Sequence, residues 1–408
     1  MSAGNMDILF VDPYYRTSYP PMGLLKIARF HREMGDRTVF VKGLSRNHVS
    51  RKWDRIYVSS LFTFNWRTVV RTLRFYGSSV EDARRDLYAG GPLATLLGKD
   101  LAREVPCRPI SGVIDTAAKI GMEGGDIDAL LPDYSILPEN AAYPLLRKAW
   151  IASATRGCSA KCAFCSVKEV DPRCVEYLPL GKQIENSRKT LGERDVLVLM
   201  DNNAAASPFL DSIVDDIRSA GFSGDGSSKK TVDFSQGFEP YLFTGPGGET
   251  RADLLAGLPL ETVRIAWDFR NEEQAYRNAV STFSERGIGR FSTYLLYGFA
   301  DTPEDMHYRL LRITEMEKEL GISVNAVPMG YIAPHRKRRY SSRERGRLWG
   351  RPEEEARGFE VLMREVGSRV PGDMEYFCSS FGRNGDEFLK KIRRLGGKPA
   401  AENDQPPR

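Results

Sequence analysis

The sequence predicts an α/β protein: an N-terminal doubly wound parallel sheet, then a partial (β/α)6 barrel, then a basic α-helical C-terminal region. Three observations carry this prediction. Short apolar runs alternate with segments of helical periodicity through about the first 110 residues. The alternation resumes near residue 150 and continues for six strand–helix units, two fewer than a full (β/α)8 barrel. A run of basic residues then opens a final region with helical patterns only.

The first half begins with a buried strand, "DILFVD", followed by the helix pattern "PMGLLKIARFHREMG". Further strands are predicted at "RTVFVKG", "RIYVSSLFTF" and "DLYAGG", with helices at "NWRTVVRTLRFYG" and "PLATLLGKDLARE". Doubly wound sheets bind ligands at the carboxyl ends of their strands. This rule places candidate ligand contacts at Asp12, Ser59 to Leu61, and Gly90 to Gly91.

The second half repeats the alternation after a connector that carries glycines and prolines with weak periodicity. Its apolar runs are "AWIASAT", "VLVLMD", "TVDFSQG", "TVRIAWDF", "FSTYLLYGF" and "SVNAVPMGY". The predicted domains are the doubly wound sheet at 1–111, the connector at 112–150, the partial barrel at 151–333 and the basic region at 334–408.

Composition limits the cellular setting. No apolar run reaches the ~18 residues that a membrane span requires, and the N-terminus lacks the pattern of a secretory signal. We therefore predict a cytoplasmic protein without a membrane partner. Cytosolic thiols stay reduced, so clustered cysteines indicate metal binding or catalysis rather than disulfides. The net charge of +5 is too small to establish a polyanionic partner.

Three of the six cysteines, Cys158, Cys162 and Cys165, lie close together just past the first strand of the second half. Thiolates favour zinc or iron–sulfur clusters. A structural zinc site is closed by four protein ligands, and Cys174 is the candidate fourth. Three cysteines on a cubane cluster instead leave one iron open to a substrate or cofactor. The absence of a second cysteine pair favours the cluster.

The motif "CSAKCAFC" resembles the radical S-adenosylmethionine (SAM) signature, Cys-x3-Cys-x-aromatic-Cys, with Phe164 as the aromatic residue. The resemblance implies that the three cysteines hold a [4Fe-4S] cluster and that SAM chelates the open iron. It also implies an external electron donor such as flavodoxin or ferredoxin. One electron would cleave SAM to methionine and a 5′-deoxyadenosyl radical, which removes hydrogen from the substrate.

The segments "YPPMGLLKIARF" and "YAGGPLATLL" resemble radical SAM proteins that carry a cobalamin-binding-type, Rossmann-like domain. Such domains often present a histidine from an Asp-x-His-x-x-Gly loop to the cobalt. The corresponding loop, "VDPYYRTSYPPMG", contains no histidine and places the bulky Tyr14, Tyr15 and Arg16 there. Binding of cobalamin is therefore possible but not favoured. The alternative is a domain that keeps the fold and has lost the cofactor.

Polar residues at the predicted strand ends are candidate SAM contacts under this resemblance. Asp201, Asn202 and Asn203 stand where the superfamily places contacts to the methionine amino group. Gln236, Glu239 and Asp268 are candidates for the carboxylate or ribose. Tyr297 and Gly298 are expected to border the adenine. The alternative for the Asp and Asn residues is capping of the following helices.

Residues 335–351, "HRKRRYSSRERGRLWGR", hold eight Arg or Lys residues against one Glu. The candidate contacts to a phosphate-rich substrate are Arg336, Lys337, Arg338, Arg339, Tyr340 and Trp349, because cations neutralise phosphates and aromatic rings stack on bases. The alternative is a solvated basic loop. The leading hypothesis is rearrangement or isomerisation of a modified nucleotide or nucleic-acid base.

Two alternative functions stay open. One is cobalamin-dependent radical methylation of a small metabolite or peptide. The other, from a different class, is a non-catalytic nucleic-acid-binding protein with a structural metal.

Overall fold

The structure is a computed structural model that describes residues 5–138, 143–224, 229–366 and 373–397. Parts of the predicted connector and of the basic C-terminal region lie outside the described residues. The chain divides into two compact units. The first comprises Met1–Val198 with Ala333–Arg339, and the second comprises Leu199–Ile332 with Tyr340–Arg408. The four domain boundaries expected from the sequence stay a prediction.

The described residues form eleven strands and fifteen α-helices. The strands are β1 Asp7–Asp12, β2 Arg37–Lys42, β3 Arg55–Ser59, β4 Leu87–Gly90, β5 Arg108–Ile110, β6 Ala149–Ala152, β7 Val196–Leu199, β8 Thr231–Phe234, β9 Val263–Ala266, β10 Arg290–Tyr297 and β11 Ser323–Gly330. The helices are α1 Met22–Glu33, α2 Arg46–Val49, α3 Trp66–Tyr76, α4 Ala83–Asp86, α5 Pro92–Glu104, α6 Val167–Val170, α7 Gly181–Leu191, α8 Leu210–Ser219, α9 Gly248–Ala256, α10 Glu273–Ser284, α11 Pro303–Leu320, α12 Ser342–Trp349, α13 Glu353–Val366, α14 Met374–Phe381 and α15 Gly385–Gly396.

The first unit contains a five-stranded sheet in the order β2-β1-β3-β4-β5, and every neighbouring pair is parallel. Helices cover both faces of this sheet. Leu9 and Val11 of β1 share a core with residues of α3 and α5. Phe10 points the other way, where its ring contacts His31 of α1 at 6.2 Å between centroids. The predicted doubly wound sheet is confirmed, with its strand order reversing between β1 and β3.

The later strands form two three-stranded sheets, in the orders β6-β7-β8 and β11-β10-β9. Isolated parallel bridges, Val232 with Leu260 and Phe238 with Ile265, link the region of β8 to that of β9. Helices alternate with these strands along the chain. The six strands therefore agree with the predicted partial (β/α)6 barrel, and α12 to α15 form the predicted helical C-terminal region.

Among the helices in the described ranges, none combines the length and the apolar character needed to cross a membrane.

Candidate functional site

The three clustered cysteines lie on the loop between β6 and α6, in the first unit. Cys162 is exposed, Cys158 and Cys165 are half-buried, and none of the three is in a disulfide. A turn draws the last two together, because the Cys165 amide donates to the Cys162 carbonyl at 3.1 Å. Phe164, the aromatic residue of the motif, is half-buried on the same turn.

The base of the cysteine loop is closed by a backbone ladder. Arg156 and Val175 form an antiparallel bridge, with N–H to O=C distances of 2.9 Å and 3.0 Å. Gly157 follows with φ of +68°, and a Cβ at this position would collide with the Arg173 carbonyl oxygen. Only glycine combines this left-handed conformation with so close an approach of two backbones.

The Arg156 side chain ties the loop to two carboxylates. Its Nε donates to Asp171 Oδ2 at 3.0 Å and its Nη1 to Asp128 Oδ1 at 2.9 Å. Burial opposes the positive charge, but Asp128 and Asp171 outweigh it and hold the pKa of the Arg156 guanidinium above its usual value. None of these anchors uses a cysteine side chain.

The donor set of the loop fits an iron–sulfur cluster. Three thiols lie within eight residues, none of them is in a disulfide, and each is accessible at least in part. Among the described residues no group of three or more His, Cys, Asp or Glu side chains is gathered as for one metal ion. A cubane cluster makes a different demand, because each cysteine binds a separate iron. Cys174 is exposed and lies outside the triplet.

In the second unit, polar side chains gather at the carboxyl ends of β7 and β8. Asp201 and Asn203 are buried and Asn202 is half-buried. Asn203 Nδ2 donates to Glu239 Oε2 at 3.3 Å, whereas the buried Asn203 Oδ1 has no partner among the described residues. An orphaned buried acceptor is costly unless a ligand donates to it. Asn203 therefore fits a ligand with N–H donors, such as the ammonium of SAM.

A second group of acidic side chains follows β9. Burial first, and then the nearby Glu272 and Glu239 carboxylates, raise the pKa of Asp268 to about 7, while Arg309 opposes the rise. The Asp268 amide donates to Glu272 Oε2 at 3.0 Å. Gln236, by contrast, is exposed, and its amide contacts Ser235 Oγ at 3.4 Å. The carboxylates of Asp268, Glu272 and Glu239 thus give this end of the second unit a negative potential that favours binding of a cation.

Arg309 of α11 holds these strand ends in place. Its side chain is fully buried, and its guanidinium donates to the carbonyls of Trp267 and Asp268, each at 2.8 Å, and of Leu296 at 2.7 Å. Asp301 Oδ2 lies 3.5 Å from Arg309 Nη2. Asp301 also accepts from the amides of residues 298 and 299 at 2.6 Å and 3.3 Å. The N-cap of α11 is the next residue, Thr302, whose hydroxyl accepts from the Asp305 amide.

Replacing Asp268 by Asn is expected to change the pH dependence of stability. A carboxyl with a raised pKa keeps its proton in the folded state at pH values where the unfolded chain has lost it. The carboxyl therefore lowers the free energy of unfolding of the parent protein by an amount that grows from about pH 4 to pH 7. Above pH 7 the variant should be more stable than the parent by about 2 to 4 kcal/mol, and below pH 4 the two should converge. Urea unfolding at pH 4 and pH 8 measures this, with the exposed Asp215→Asn as the control. If the free energy of unfolding changed with pH by the same amount in the parent and the variant, Asp268 would ionise in the folded protein without loss of stability, and the prediction would be wrong.

The expected adenine-side residues are covered by the C-terminal helices. Arg345 of α12 is buried and donates to the Gly298 carbonyl at 3.4 Å. Its guanidinium also lies over the rings of Tyr297, at 5.2 Å, and Tyr340, at 5.0 Å. Trp349 packs edge-to-face against Phe359 at 4.8 Å. These rings are packed within the second unit, and their expected ligand roles stay predictions.

The other expected substrate contacts lie in the first unit, where residues 335–339 return to the N-terminal sheet domain. Lys337 Nζ lies 3.0 Å from Asp100 Oδ2 and 4.1 Å from the centre of the Trp66 ring. The Arg339 guanidinium lies 4.2 Å above the ring of Phe64. Arg338 is exposed and Arg336 is half-buried.

The strand order of the N-terminal sheet reverses between β1 and β3, and the crevice at the carboxyl ends of these strands, the topological switch point, is filled by side chains of the chain itself. Asp12 is buried and accepts from Ser59 Oγ at 2.5 Å, from Tyr143 Oη at 2.6 Å and from Lys42 Nζ at 3.2 Å. Burial and the Asp12 carboxylate raise the pKa of Tyr143, so its phenol stays protonated and donates. Tyr15 is also buried, with its hydroxyl 3.0 Å from the Ser59 carbonyl.

The neighbouring Gly90–Gly91 turn is closed in the same way. A Cβ on Gly91 would lie 2.5 Å from the Ser60 carbonyl oxygen, and Ser60 Oγ accepts from the Ala94 amide at 3.0 Å. The residues at this crevice therefore do not fit a corrin. No step of the chemistry proposed below passes through cobalamin.

Two residues of the site were missed by sequence reasoning. Arg156 precedes the motif without belonging to it, and nothing in the sequence marks its two acidic partners. Arg309 left a signal, because it lies between Met306 and Leu310 on the apolar face of α11, where a charge needs a buried partner.

No protein-family model matches the chain, and no curated protein matches it. A solved structure that is similar to it is the apo, selenomethionine-labelled structure of the cobalamin-dependent S-adenosylmethionine radical enzyme OxsB. The TM-score is 0.47 at 12% sequence identity, and the alignment covers 75% of this chain and 51% of that chain. The chain thus spans about half the length of that protein. A likeness at this level assigns no function to the chain.

Proposed function

We propose that the protein is a radical SAM enzyme. The observation that carries the proposal is the Cys-x3-Cys-x-Phe-Cys triplet, which forms no disulfide and lies on the loop after the first strand of a six-stranded partial barrel. The three thiolates would bind three irons of a [4Fe-4S] cluster and leave the fourth for SAM. When bound, these cofactors would supply a 5′-deoxyadenosyl radical that removes hydrogen from the substrate.

The residues of the chain would bind and orient the cofactors. Cys158, Cys162 and Cys165 hold the cluster, and the Arg156 anchors fix the loop that carries them. Asn203 Oδ1 would accept from the SAM ammonium, because its carbonyl is buried and otherwise unpaired among the described residues. Asp268 and Glu239 attract the positive charge of the cofactor. Arg309 is a positioning residue, since it fixes the strand end that carries Asp268.

The finer proposal is that the substrate is a modified nucleotide or nucleic-acid base that is rearranged or isomerised after hydrogen removal. The basic segment Arg336–Arg339 supports it, because a phosphate-bearing substrate needs cations close to aromatic rings. A duplex base would have to be flipped out or single-stranded to react. A reducing partner such as flavodoxin or ferredoxin would deliver the electron.

The two alternatives make different predictions. Cobalamin-dependent methylation requires bound cobalamin, which the packed switch point at Asp12 and Tyr143 disfavours. A nucleic-acid-binding protein with a structural metal requires zinc in place of iron and no consumption of SAM.

Anaerobic reconstitution tests the proposal. Protein reconstituted with iron and sulfide should bind about four irons and four sulfides per chain. It should then release 5′-deoxyadenosine from SAM when reduced with dithionite, and SAM should perturb the EPR spectrum of the reduced cluster. A chain that binds zinc alone, or whose reduced cluster does not respond to SAM, would refute the proposal.

A further inference from the structure

An exposed basic face runs along α3 in the first unit. Arg67, Arg71 and Arg74 follow one another at spacings of four and three residues, so they project from one side of the helix. All three are exposed, as is Arg46 nearby. Arg74 pairs with Glu104, whereas Arg46, Arg67 and Arg71 have no carboxylate partner among the described residues.

Two adjoining hollows lie on this face. One has a volume of about 510 Å³ and is lined by Leu44, Arg46, Arg71, Arg74 and Phe75. The other has a volume of about 400 Å³ and is lined by Trp66, Arg67, Val70, Arg71, Arg74 and Glu104. Because they share Arg71 and Arg74, they form one shallow trough with cationic walls and apolar patches on its floor.

An aromatic platform lies just before the N-terminal end of the same helix. The rings of Phe62 and Phe64 are stacked at 5.0 Å with an interplanar angle of 13°, and Phe62 is 52% exposed. The Arg339 guanidinium covers Phe64 at 4.2 Å and has no carboxylate partner in the described part of the chain. An exposed ring beside an unpaired cation suits a base and its phosphate together.

We propose that this trough and platform bind single-stranded nucleic acid, with a base stacked on Phe62 and about four phosphates paired with Arg339, Arg67, Arg71 and Arg46. Charge complementarity selects a polyanion, and the exposed stacked rings select unpaired bases over a duplex, whose bases are already stacked. An acidic peptide would form ion pairs with the arginines but would have no base to stack on the exposed ring of Phe62. The inference deepens the proposed nucleic-acid substrate, which the basic segment with Arg339 also supports. It does not depend on the cluster chemistry, because none of its residues is among the proposed cofactor ligands.

Binding of the reconstituted full chain to a fluorescein-labelled 12-mer of oligothymidylate, without SAM, tests this inference. For single strands, the logarithm of the binding constant falls with the logarithm of the salt concentration with a slope of about −0.7 per neutralised phosphate. With four phosphates neutralised, affinity should therefore fall about 50-fold between 50 and 200 mM salt. Arg67→Ala with Arg71→Ala should reduce that fall to about sevenfold. Phe62→Ala should weaken binding about tenfold without changing the salt dependence.

Matched controls are Arg290→Ala and Tyr376→Ala, which remove an exposed arginine and an exposed tyrosine of the second unit and should leave binding unchanged. The same sequence in a duplex, and a 12-residue polyglutamate, should each bind at least tenfold more weakly than the single strand. Equal affinity for either competitor, or wild-type binding by Phe62→Ala, would overturn the proposal. Because the readout does not involve SAM, failure of the radical chemistry would leave this result unaffected.

Discussion

Replacing Arg309 by Met is expected to lower the free energy of unfolding by about 3 to 5 kcal/mol. The guanidinium is fully buried and satisfies three backbone carbonyls from the ends of β9 and β10. Its charge also faces the carboxylate of Asp301, whose side chain is 6% exposed and whose pKa is raised by burial. Methionine fills a similar volume but donates no hydrogen bond, so the carbonyls and the carboxylate would lose their partner in a dry environment.

Urea unfolding followed by circular dichroism measures this loss. The matched control is Arg277→Met, since Arg277 makes a more exposed ion pair with Glu319, and its removal should cost less than about 1 kcal/mol. Adding Asp301→Asn to Arg309→Met should recover part of the loss, because the uncompensated charge is then gone. A loss as small as that of the control would mean that water reaches these strand ends.

The strand–helix alternation was predictable because a parallel sheet buried on both faces requires continuous apolar runs. "DILFVD" and "VLVLMD" could be recognised for that reason, and they form β1 and β7. β5 was missed because Arg108–Ile110 spans three residues with a central proline and shows no periodicity. The run "RIYVSSLFTF" predicted too long a strand, since β3 ends at Ser59 and Ser60 turns its hydroxyl to the Gly90 carbonyl and the start of α5.

The cysteine triplet was predictable because one short loop must carry all three ligands, which makes the signal local in the sequence. The contacts that support the site are not local. Arg309 lies about 40 residues after the carbonyls of Trp267 and Asp268 that it binds, and Arg156 pairs with Asp128 from the predicted connector. Spacing within a motif cannot reveal pairs that only the folded chain brings together.

The basic segment shows the same limit. Composition identified Arg336–Arg339, with Tyr340 and Trp349 as the expected stacking rings. In the structure Lys337 lies over the ring of Trp66, the first residue of α3, and Arg339 lies over the ring of Phe64, just before that helix. Trp349 instead packs against Phe359. Contacts of these cations with rings so far away in the sequence could not be read from composition, and the expected roles of Tyr340 and Trp349 towards a base stay predictions.

Replacing any one of Cys158, Cys162 and Cys165 by Ser is expected to abolish formation of 5′-deoxyadenosine. A hydroxyl is a much poorer ligand for iron than a thiolate, and a cluster that keeps two cysteines is no longer held at three corners. The reconstituted variants should therefore lose most of their iron. Secondary structure should stay unchanged, because the loop is closed by the Arg156–Val175 ladder and by ion pairs that involve no thiol.

Cys174→Ser is the matched control, since this exposed cysteine lies outside the motif and only nine residues from Cys165. It should keep its iron and its SAM cleavage. If Cys174 were instead the fourth ligand of a structural zinc, its replacement would release the metal as readily as the loss of any triplet member. A variant with all three triplet cysteines replaced by Ser would then fail to fold. Iron analysis, 5′-deoxyadenosine release and circular dichroism on the same samples therefore separate an iron open to a cofactor from a metal enclosed by the chain.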